Sequence, residues 1–292
     1  MSVASLFQRQ EKVKKSLSEQ IVHTIVLIIF SLVAFSYIYL IFWCIHSGMR
    51  TNSAIANKPF GFGGYGLKNY VDVFEIIQTG GTSFAGMIFN SVYFSFLGPF
   101  LSIFVTAELA YVTSKYKFFG AGGVYYVVLV VITLPIYGTQ SAMYKLLFRL
   151  GFLNSRLMIL TSLNGFSIYY MYFFGFFKSM SWTYAEAAQL DGANHWQIYF
   201  KIMLPQAIPM FGALFMMLWI ADWNSYATAL VYLPEMPTLA VGIYLFEPWA
   251  TAHNRSDLLY AACAISMLPP LVLFMICNNT LMSNVSIGGI KE

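Results

Sequence analysis

The chain has 292 residues, of which 59% are hydrophobic and 10% charged, whereas about a quarter of an ordinary soluble domain is charged. This composition excludes a soluble single-domain enzyme. The formal net charge is a modest +4 and the basic residues are not gathered in one block, so no nucleic acid is expected as a partner.

Six long intervals contain no Asp, Glu, Lys or Arg, at 20–49, 76–107, 118–144, 157–177, 202–221 and 258–290. A helix needs roughly 20 residues to cross about 30 Å of hydrocarbon at about 1.5 Å per residue, and each interval can hold that many. The sequence therefore predicts an all-α polytopic membrane protein, with six transmembrane helices within residues 21–285. These helices are expected to be embedded in a lipid bilayer.

The polar first 20 residues carry Arg9, Lys12, Lys14 and Lys15 ahead of an apolar run that is too long for the core of a signal peptide. We interpret residues 1–20 as a retained cytoplasmic tail. Six crossings then place the short tail at 286–292 in the cytoplasm as well. The distribution of Lys and Arg over the connections supports this orientation only weakly.

Three connections are long. Those at 46–83 and 222–257 are expected to face outward and to have structure of their own. The third connection, at 178–201, reads KSMSWTYAEAAQLDGANHWQIYFK. Within it Ser181 can cap a short helix, and Gly192 can end that helix because it tolerates positive φ. A second short helix can run from Ala193 towards Ile202 and lead to Pro205 at the start of the fifth span, so the segment is predicted to form a helix–turn–helix.

The side chains of this segment suit contact with another protein. Ala187 and Ala188 are small enough to allow a close approach, and Glu186 and Asp191 offer carboxylates to basic groups or exposed helix-end amides. The sequence thus predicts a protrusion that fits a socket on a partner. A paired-carboxylate catalytic site is disfavoured, because Glu186 and Asp191 are five residues apart beside the Gly192 turn and form no pocket.

The spacing of Glu186-Ala187-Ala188, Asp191-Gly192-Ala193 and Ile202-Met203-Leu204-Pro205 resembles the EAA loop of permease subunits in bacterial ATP-binding-cassette (ABC) importers. Further stretches resemble the sugar-importing branch, and in particular its maltose-type second permease subunit. These stretches are residues 69–70, 150–155, 223–224, 238–242 and 288–291.

The resemblance implies the type I ABC importer architecture in a bacterial plasma membrane, with residues 178–205 forming the cytoplasmic EAA coupling helices. It implies that Glu186, Ala187, Ala188 and Gly192, with Asp191 beside them, dock on the ATPase. It also implies that the carboxyl tail reaches the ATPase dimer, through Gly288, Gly289 and Lys291.

The resemblance implies a set of partners and a cargo as well. The partners are a second homologous permease, two ATPase subunits that bind the ATP, and an extracytoplasmic solute-binding protein. The cargo is a carbohydrate, with an oligosaccharide as the first choice.

The motifs of catalysis are missing from the sequence. No G-x-x-x-x-G-K-[ST], H-E-x-x-H or G-x-S-x-G occurs, and the three cysteines lack the paired spacing of a metal site. No catalytic residue, metal or cofactor is expected, and the energy for transport must come through a partner. The alternative function is an ion-coupled secondary transporter that acts without an ATPase. It is disfavoured because the predicted span centres carry no ionisable groups.

Aromatic residues near the outer end of the fifth span give a candidate for the substrate pathway. Sugars stack their C–H faces on aromatic rings and bond their hydroxyls to amides, so Trp223 and Asn224 are the candidates for this contact. Membrane proteins also place Trp and Tyr in belts at the membrane–water interface. Both interpretations stay open at the level of sequence.

Overall fold

The computed structural model describes residues 16–134 and 138–285, with side chains described as far as residue 277. The described part of the chain is almost entirely helical, as predicted. Its helices are α1 (Leu17–Gly48), α2 (Asn52–Asn57), α3 (Lys68–Ile76), α4 (Phe84–Lys115), α5 (Ala121–Thr133), α6 (Gln140–Leu150), α7 (Ile168–Ser179), α8 (Thr183–Leu190), α9 (His195–Ile198), α10 (Leu204–Asn224), α11 (Ala227–Tyr232), α12 (Leu239–Ala252) and α13 (Ser256–Val285). A short hairpin pairs β1 (Gln78–Thr79) with β2 (Thr82–Ser83).

Within the described residues, four helices are long and apolar enough to cross a membrane: Leu17–Gly48, Phe84–Lys115, His195–Asn224 and Ser256–Cys277. They correspond to the first, second, fifth and sixth predicted spans. All four extend beyond the charge-free intervals, because main-chain hydrogen bonding does not stop where a charged side chain begins.

The start of α1 shows this extension. Ser16 caps the helix in a capping box with Glu19, and the helix begins at Leu17. Residues 16–20 of the predicted tail therefore belong to the cap and first turn. Residues 1–15 lie outside the described part of the chain.

The third and fourth predicted spans are built differently from the other four. The helices found there, α5 and α7, have 13 and 12 residues, or about 20 Å at most at 1.5 Å per residue. The fourth charge-free interval, 157–177, is not one continuous helix, because Arg156–Ser162 is a 3-10 helix and α7 begins only at Ile168. Gly165, between them, packs closely on α4, where a Cβ would come 2.9 Å from Leu109 Cδ2.

The bundle is organised around α4, which packs against α7, α10 and α12, while α13 packs against α1, α10 and α12. We name its two ends by their connections: the loop end carries residues 178–205, and the cap end carries residues 46–83 and 222–257. One buried cluster at the loop end includes Tyr111, Phe177 and Tyr199. Another at the cap end includes Phe84 and Trp223.

The cap end contains ordered elements in both long connections, as predicted from their length. Residues 46–83 form α2, α3 and the hairpin, and residues 222–257 include α11 and α12. Asn69 ties α3 to the end of α1 by donating to the carbonyls of Gly48 and Arg50, at 3.0 and 2.8 Å.

Arg50 organises the chain that follows α1. It is 1% exposed, and its guanidinium donates to four main-chain carbonyls. These belong to Gly63 at 3.2 Å, Pro59 at 3.0 Å, Ala54 at 2.6 Å and Lys58 at 2.8 Å. Arginine suits this position because its planar fork carries five donors in a fixed geometry.

We expect Arg50→Met to loosen residues 51–66 while leaving the long helices in place. Hydrogen bonds to a charged donor contribute about 1.5–3 kcal/mol each, so the loss should destabilise this segment by at least ~3 kcal/mol. Hydrogen exchange should report the change at the amides of Thr51 and Gly66, which bond to Gly64 and Met49. The control Arg255→Met removes a partly exposed ion pair with Asp257. It should leave the exchange protection of the Thr51 and Gly66 amides unchanged. Unchanged protection in Arg50→Met would refute this role.

Candidate functional site

The predicted helix–turn–helix is present at the loop end. Helix α8 covers eight residues from Thr183, and its N-cap is Trp182, which makes no side-chain capping bond. The Ser181 hydroxyl, predicted to be the cap, lies one residue earlier and accepts from the amide of Thr183 at 3.2 Å. The helix therefore starts slightly later than a Ser181 cap would place it.

Gly192 ends α8 as predicted, with φ of +82°. Its amide donates to the carbonyl of Gln189 at 3.0 Å, and the amide of Ala193 donates to the carbonyl of Ala188 at 2.9 Å. This pair of bonds is a Schellman motif, which requires a left-handed residue at the position of Gly192. Since no atom lies within 4 Å of a Cβ built there, the backbone angle is what demands glycine.

The second helix differs from the prediction, because it does not stop before the fifth span. Asn194 and Gln197 form a capping box at the start of α9, and a π turn at Tyr199–Met203 then leads directly into α10. The whole of His195–Asn224 is one helix of 30 residues. The π turn lies just before Pro205, which has no amide to donate and whose ring would crowd the preceding turn of an α-helix.

Helix α8 has an inward and an outward face. Ala185 and Ala188, three residues apart, are buried at 0% and 9% exposure in the loop-end cluster with Tyr111 and Phe177. Ala188 was predicted to dock on a partner, but the structure turns it towards its own chain. Its small size lets α8 lie close against the bundle.

The outward face carries the other predicted residues. Glu186, Ala187 and Asp191 are exposed, and Leu190 beside them is 90% exposed. We call these four residues the docking ridge. Sequence reasoning missed Leu190, although its spacing of three and four residues from Ala187 and Glu186 places it on the same helical face.

Three contacts fasten the helix–turn–helix to α4. The Lys115 ammonium donates to the carbonyl of Met180 at 2.6 Å. The Tyr116 hydroxyl and His195 Nδ1 are 3.0 Å apart. The rings of Tyr111 and Tyr199 lie 4.7 Å apart between centroids. The docking ridge is thus mounted on α4 and is followed at once by the helix that contains α10.

The predicted pathway residues lie at the cap end of α10. Trp223 is 4% exposed. Its indole Nε1 donates to the Ser266 carbonyl at 3.1 Å, and its ring stacks on Trp219. Trp223 therefore presents no free face to a sugar, because it joins α10 to α13. Asn224 is exposed, and its amide donates to the Ile220 carbonyl at 2.8 Å.

The residues on either side of these two in the sequence line a cavity. Asp222 and Ser225 line a space of about 220 Å³ between α4, the 3-10 helix and α11. Trp223 and Asn224, the predicted pathway residues, are thus next to this cavity in the sequence but are not among the residues that line it. The tail residues Gly288, Gly289 and Lys291 lie outside the described residues.

Comparison with known proteins finds a family that covers the loop end. The family described as "Binding-protein-dependent transport system inner membrane component" matches residues 109–286, which is more than half of the chain and includes the docking ridge. The arabinooligosaccharides transport system permease protein AraQ of Bacillus subtilis (strain 168) is 24% identical over 223 residues. The match covers 75% of this chain and 78% of that protein.

Two further similarities concern the sugar-importing branch and the fold. The maltose/maltodextrin transport system permease protein MalG of Photorhabdus laumondii is 26% identical over 217 residues, covering 70% of this chain and 71% of that protein. A chain in the crystal structure of a bacterial ABC transporter involved in the import of the acidic polysaccharide alginate aligns with a TM-score of 0.73 at 22% identity. The alignment covers 91% of this chain and 98% of that chain, so the two share a fold.

Proposed function

Because the chain belongs to the family of binding-protein-dependent transport system inner membrane components, we propose that it is the permease subunit of an ABC importer for a carbohydrate. It forms half of the translocation pathway beside a second homologous permease. Two separate ATPase subunits bind and hydrolyse the ATP, and an extracytoplasmic solute-binding protein delivers the cargo.

The observation that carries this proposal is that the docking ridge is joined by one tight turn to a membrane-spanning helix. A force applied to α8 passes through the Schellman turn at Gly192 into a helix of 30 residues, about 45 Å long at 1.5 Å per residue. Closure of the ATPase dimer would move α8, and α10 would tilt with it as a rigid body. The chain then needs no chemistry of its own to drive transport.

The chemistry of the docking ridge defines the socket that receives it. Leu190 supplies an apolar knob, Ala187 allows close approach, and Glu186 and Asp191 flank them with exposed carboxylates. Such a surface fits an apolar hollow with basic groups at its rim, the usual arrangement of a protein interface. Because the ATPase subunits that would supply this socket are cytoplasmic, our proposal places the ridge on the cytoplasmic side, together with both termini.

The remaining surfaces are assigned from this orientation. The cap end faces outward, where the ordered segments 46–83 and 222–257 meet the solute-binding protein. The apolar stretch of α1 has none of its residues buried within the chain, and it faces lipid and the second permease. The tail from Gly288 to Lys291 reaches the ATPase dimer.

The cargo is inferred from the relatives. Those compared above are described as transporting arabinooligosaccharides and maltose or maltodextrin. We infer an oligosaccharide for this chain as well.

Reconstitution in proteoliposomes tests the proposal. The chain, its partner permease, the ATPase and the binding protein should together import a labelled oligosaccharide in an ATP-dependent manner, and omission of the ATPase should abolish uptake. Gradient-driven uptake by this chain alone would contradict the proposal and establish the ion-coupled alternative.

A further inference from the structure

The cavity beside Asp222 has a mixed lining, in which hydroxyl groups alternate with apolar side chains such as Phe94 and Ile159. The hydroxyl groups include those of Ser95, Ser162, Ser225 and Thr228. On α4 the lining of the cavity runs from Ser91 to Ser95, seven to eleven residues beyond Phe84, the first residue of that helix, or about 11–17 Å along it at 1.5 Å per residue. The cavity therefore lies beside the membrane-spanning part of α4.

Thr238 contributes a buried hydroxyl with no partner to this cavity. The residue is 8% exposed, and its Oγ1 has no hydrogen-bond partner among the described residues. Thr238 is the N-cap of α12 but makes no side-chain capping bond. The Ser91 hydroxyl instead accepts from the amide of Leu239 at 2.7 Å. A buried hydroxyl costs stability unless it is paired, so a group that enters the cavity and reaches this hydroxyl would gain a hydrogen bond.

Asp222 adds a carboxylate at the same place. It is exposed on a membrane-spanning helix, and an acidic side chain at such a position faces a polar cavity rather than lipid. Gly98 of α4 leaves room for it, because a Cβ there would lie 3.1 Å from Ser162 Oγ and 3.7 Å from Asp222 Oδ2. The carboxylate and the Ser162 hydroxyl therefore both lie beside Gly98.

We propose that this cavity is a subsite for one ring of a neutral saccharide, with Asp222 accepting from two neighbouring sugar hydroxyls and Thr238 bonding to a third. The inference rests on the proposed function. It adds the place in this chain where the sugar binds and a preference for a neutral over an acidic sugar. At ~30 Å³ per water, the cavity holds about seven waters, which is the scale of one ring. The negative charge of Asp222 disfavours an acidic sugar.

The test uses the complete importer in proteoliposomes, with arabinotriose, maltotriose and trigalacturonate as probes. The wild type should import a neutral trisaccharide and discriminate against trigalacturonate. Asp222→Asn should lower kcat/KM for the neutral sugar about 10-fold, the loss expected for a hydrogen bond to a charged group. It should also lower the ratio of neutral-trisaccharide uptake to trigalacturonate uptake. The matched control Glu235→Gln removes an exposed cap-end carboxylate that lies outside the cavity.

Thr238 supplies a readout that separates binding from structure. Thr238→Val should lower kcat/KM about 3-fold or more without lowering Tm, because it removes an unpaired buried hydroxyl. Thr238→Ser should restore uptake. A wild type that imports no saccharide with ATP would overturn the proposed function and the subsite with it. Normal uptake by Asp222→Asn and Thr238→Val, or a wild-type preference for trigalacturonate, would overturn the subsite alone.

Discussion

Gly192→Pro should abolish transport while the chain still inserts into the membrane. Gly192 has φ of +82° and donates its amide to Gln189, whereas proline fixes φ near −65° and has no amide hydrogen. The Schellman turn should lose ~3 kcal/mol or more, which reduces its population more than 100-fold at 1.4 kcal/mol per tenfold. Uptake in proteoliposomes and copurification of the ATPase measure the effect.

The matched control for this variant is Gly192→Asn. Asparagine tolerates the left-handed region, and this chain already places Asn154 and Asn254 at φ of 54° and 52°. We expect Gly192→Asn to retain most of the transport activity. If Gly192→Pro transported as well as the control, the turn would have no part in coupling.

Leu190→Asp should weaken the attachment of the ATPase without disturbing the fold. At 90% exposure the side chain makes few contacts within this chain, and substitutions at such surface sites usually change stability by less than 0.5 kcal/mol. Burial of a leucine in a partner contributes about 2 kcal/mol, so the affinity should fall about 30-fold. Retention of coexpressed ATPase on the purified permease measures this loss.

The control for Leu190→Asp is Leu67→Asp. Leu67 is also well exposed, at 67%, but lies at the cap end. The ATPase should remain bound to this variant as in the wild type. Equal retention by both variants would place the ATPase contact away from Leu190.

The helical bundle could be predicted because its main signal, long apolar runs without charges, follows from the thickness of the membrane. The bounds of the helices could not. Charged residues such as Glu108, Lys115 and Asp257 lie inside helices, since side-chain charge does not interrupt main-chain bonding. The break before α7 lies where Gly165 packs close to Leu109 of α4, an arrangement that exists only in the folded chain.

The loop end was predictable where the physics is local. The positive φ of Gly192 and the short α8 follow from a few adjacent residues. The direction of Ala188 did not follow, because the spacing that pairs it with Ala185 does not say which face of α8 is buried. Leu190 shares a face with Glu186 and Ala187, so its exposure follows only once that face is known to point outward.

The cap end was predictable only in part, because its side chains are placed by distant segments. Trp223 is buried where its indole donates to the Ser266 carbonyl of α13, which is 43 residues away in the sequence. The cavity beside it brings together α4, the 3-10 helix and α11. Nothing in the local sequence around Trp223 and Asn224 indicates that Asp222 and Ser225 are the residues that line a cavity.

Cross-linking from Ala187→Cys tests the central claim most directly, after replacement of Cys44, Cys263 and Cys277. Ala187 is exposed on the docking ridge, so in the assembled importer the new thiol should form a short cross-link to the ATPase subunit. It should also be shielded, in intact cells, from a maleimide that cannot cross the membrane. Labelling of this cysteine from outside the cell, with no cross-link to the ATPase, would contradict the coupling role of α8.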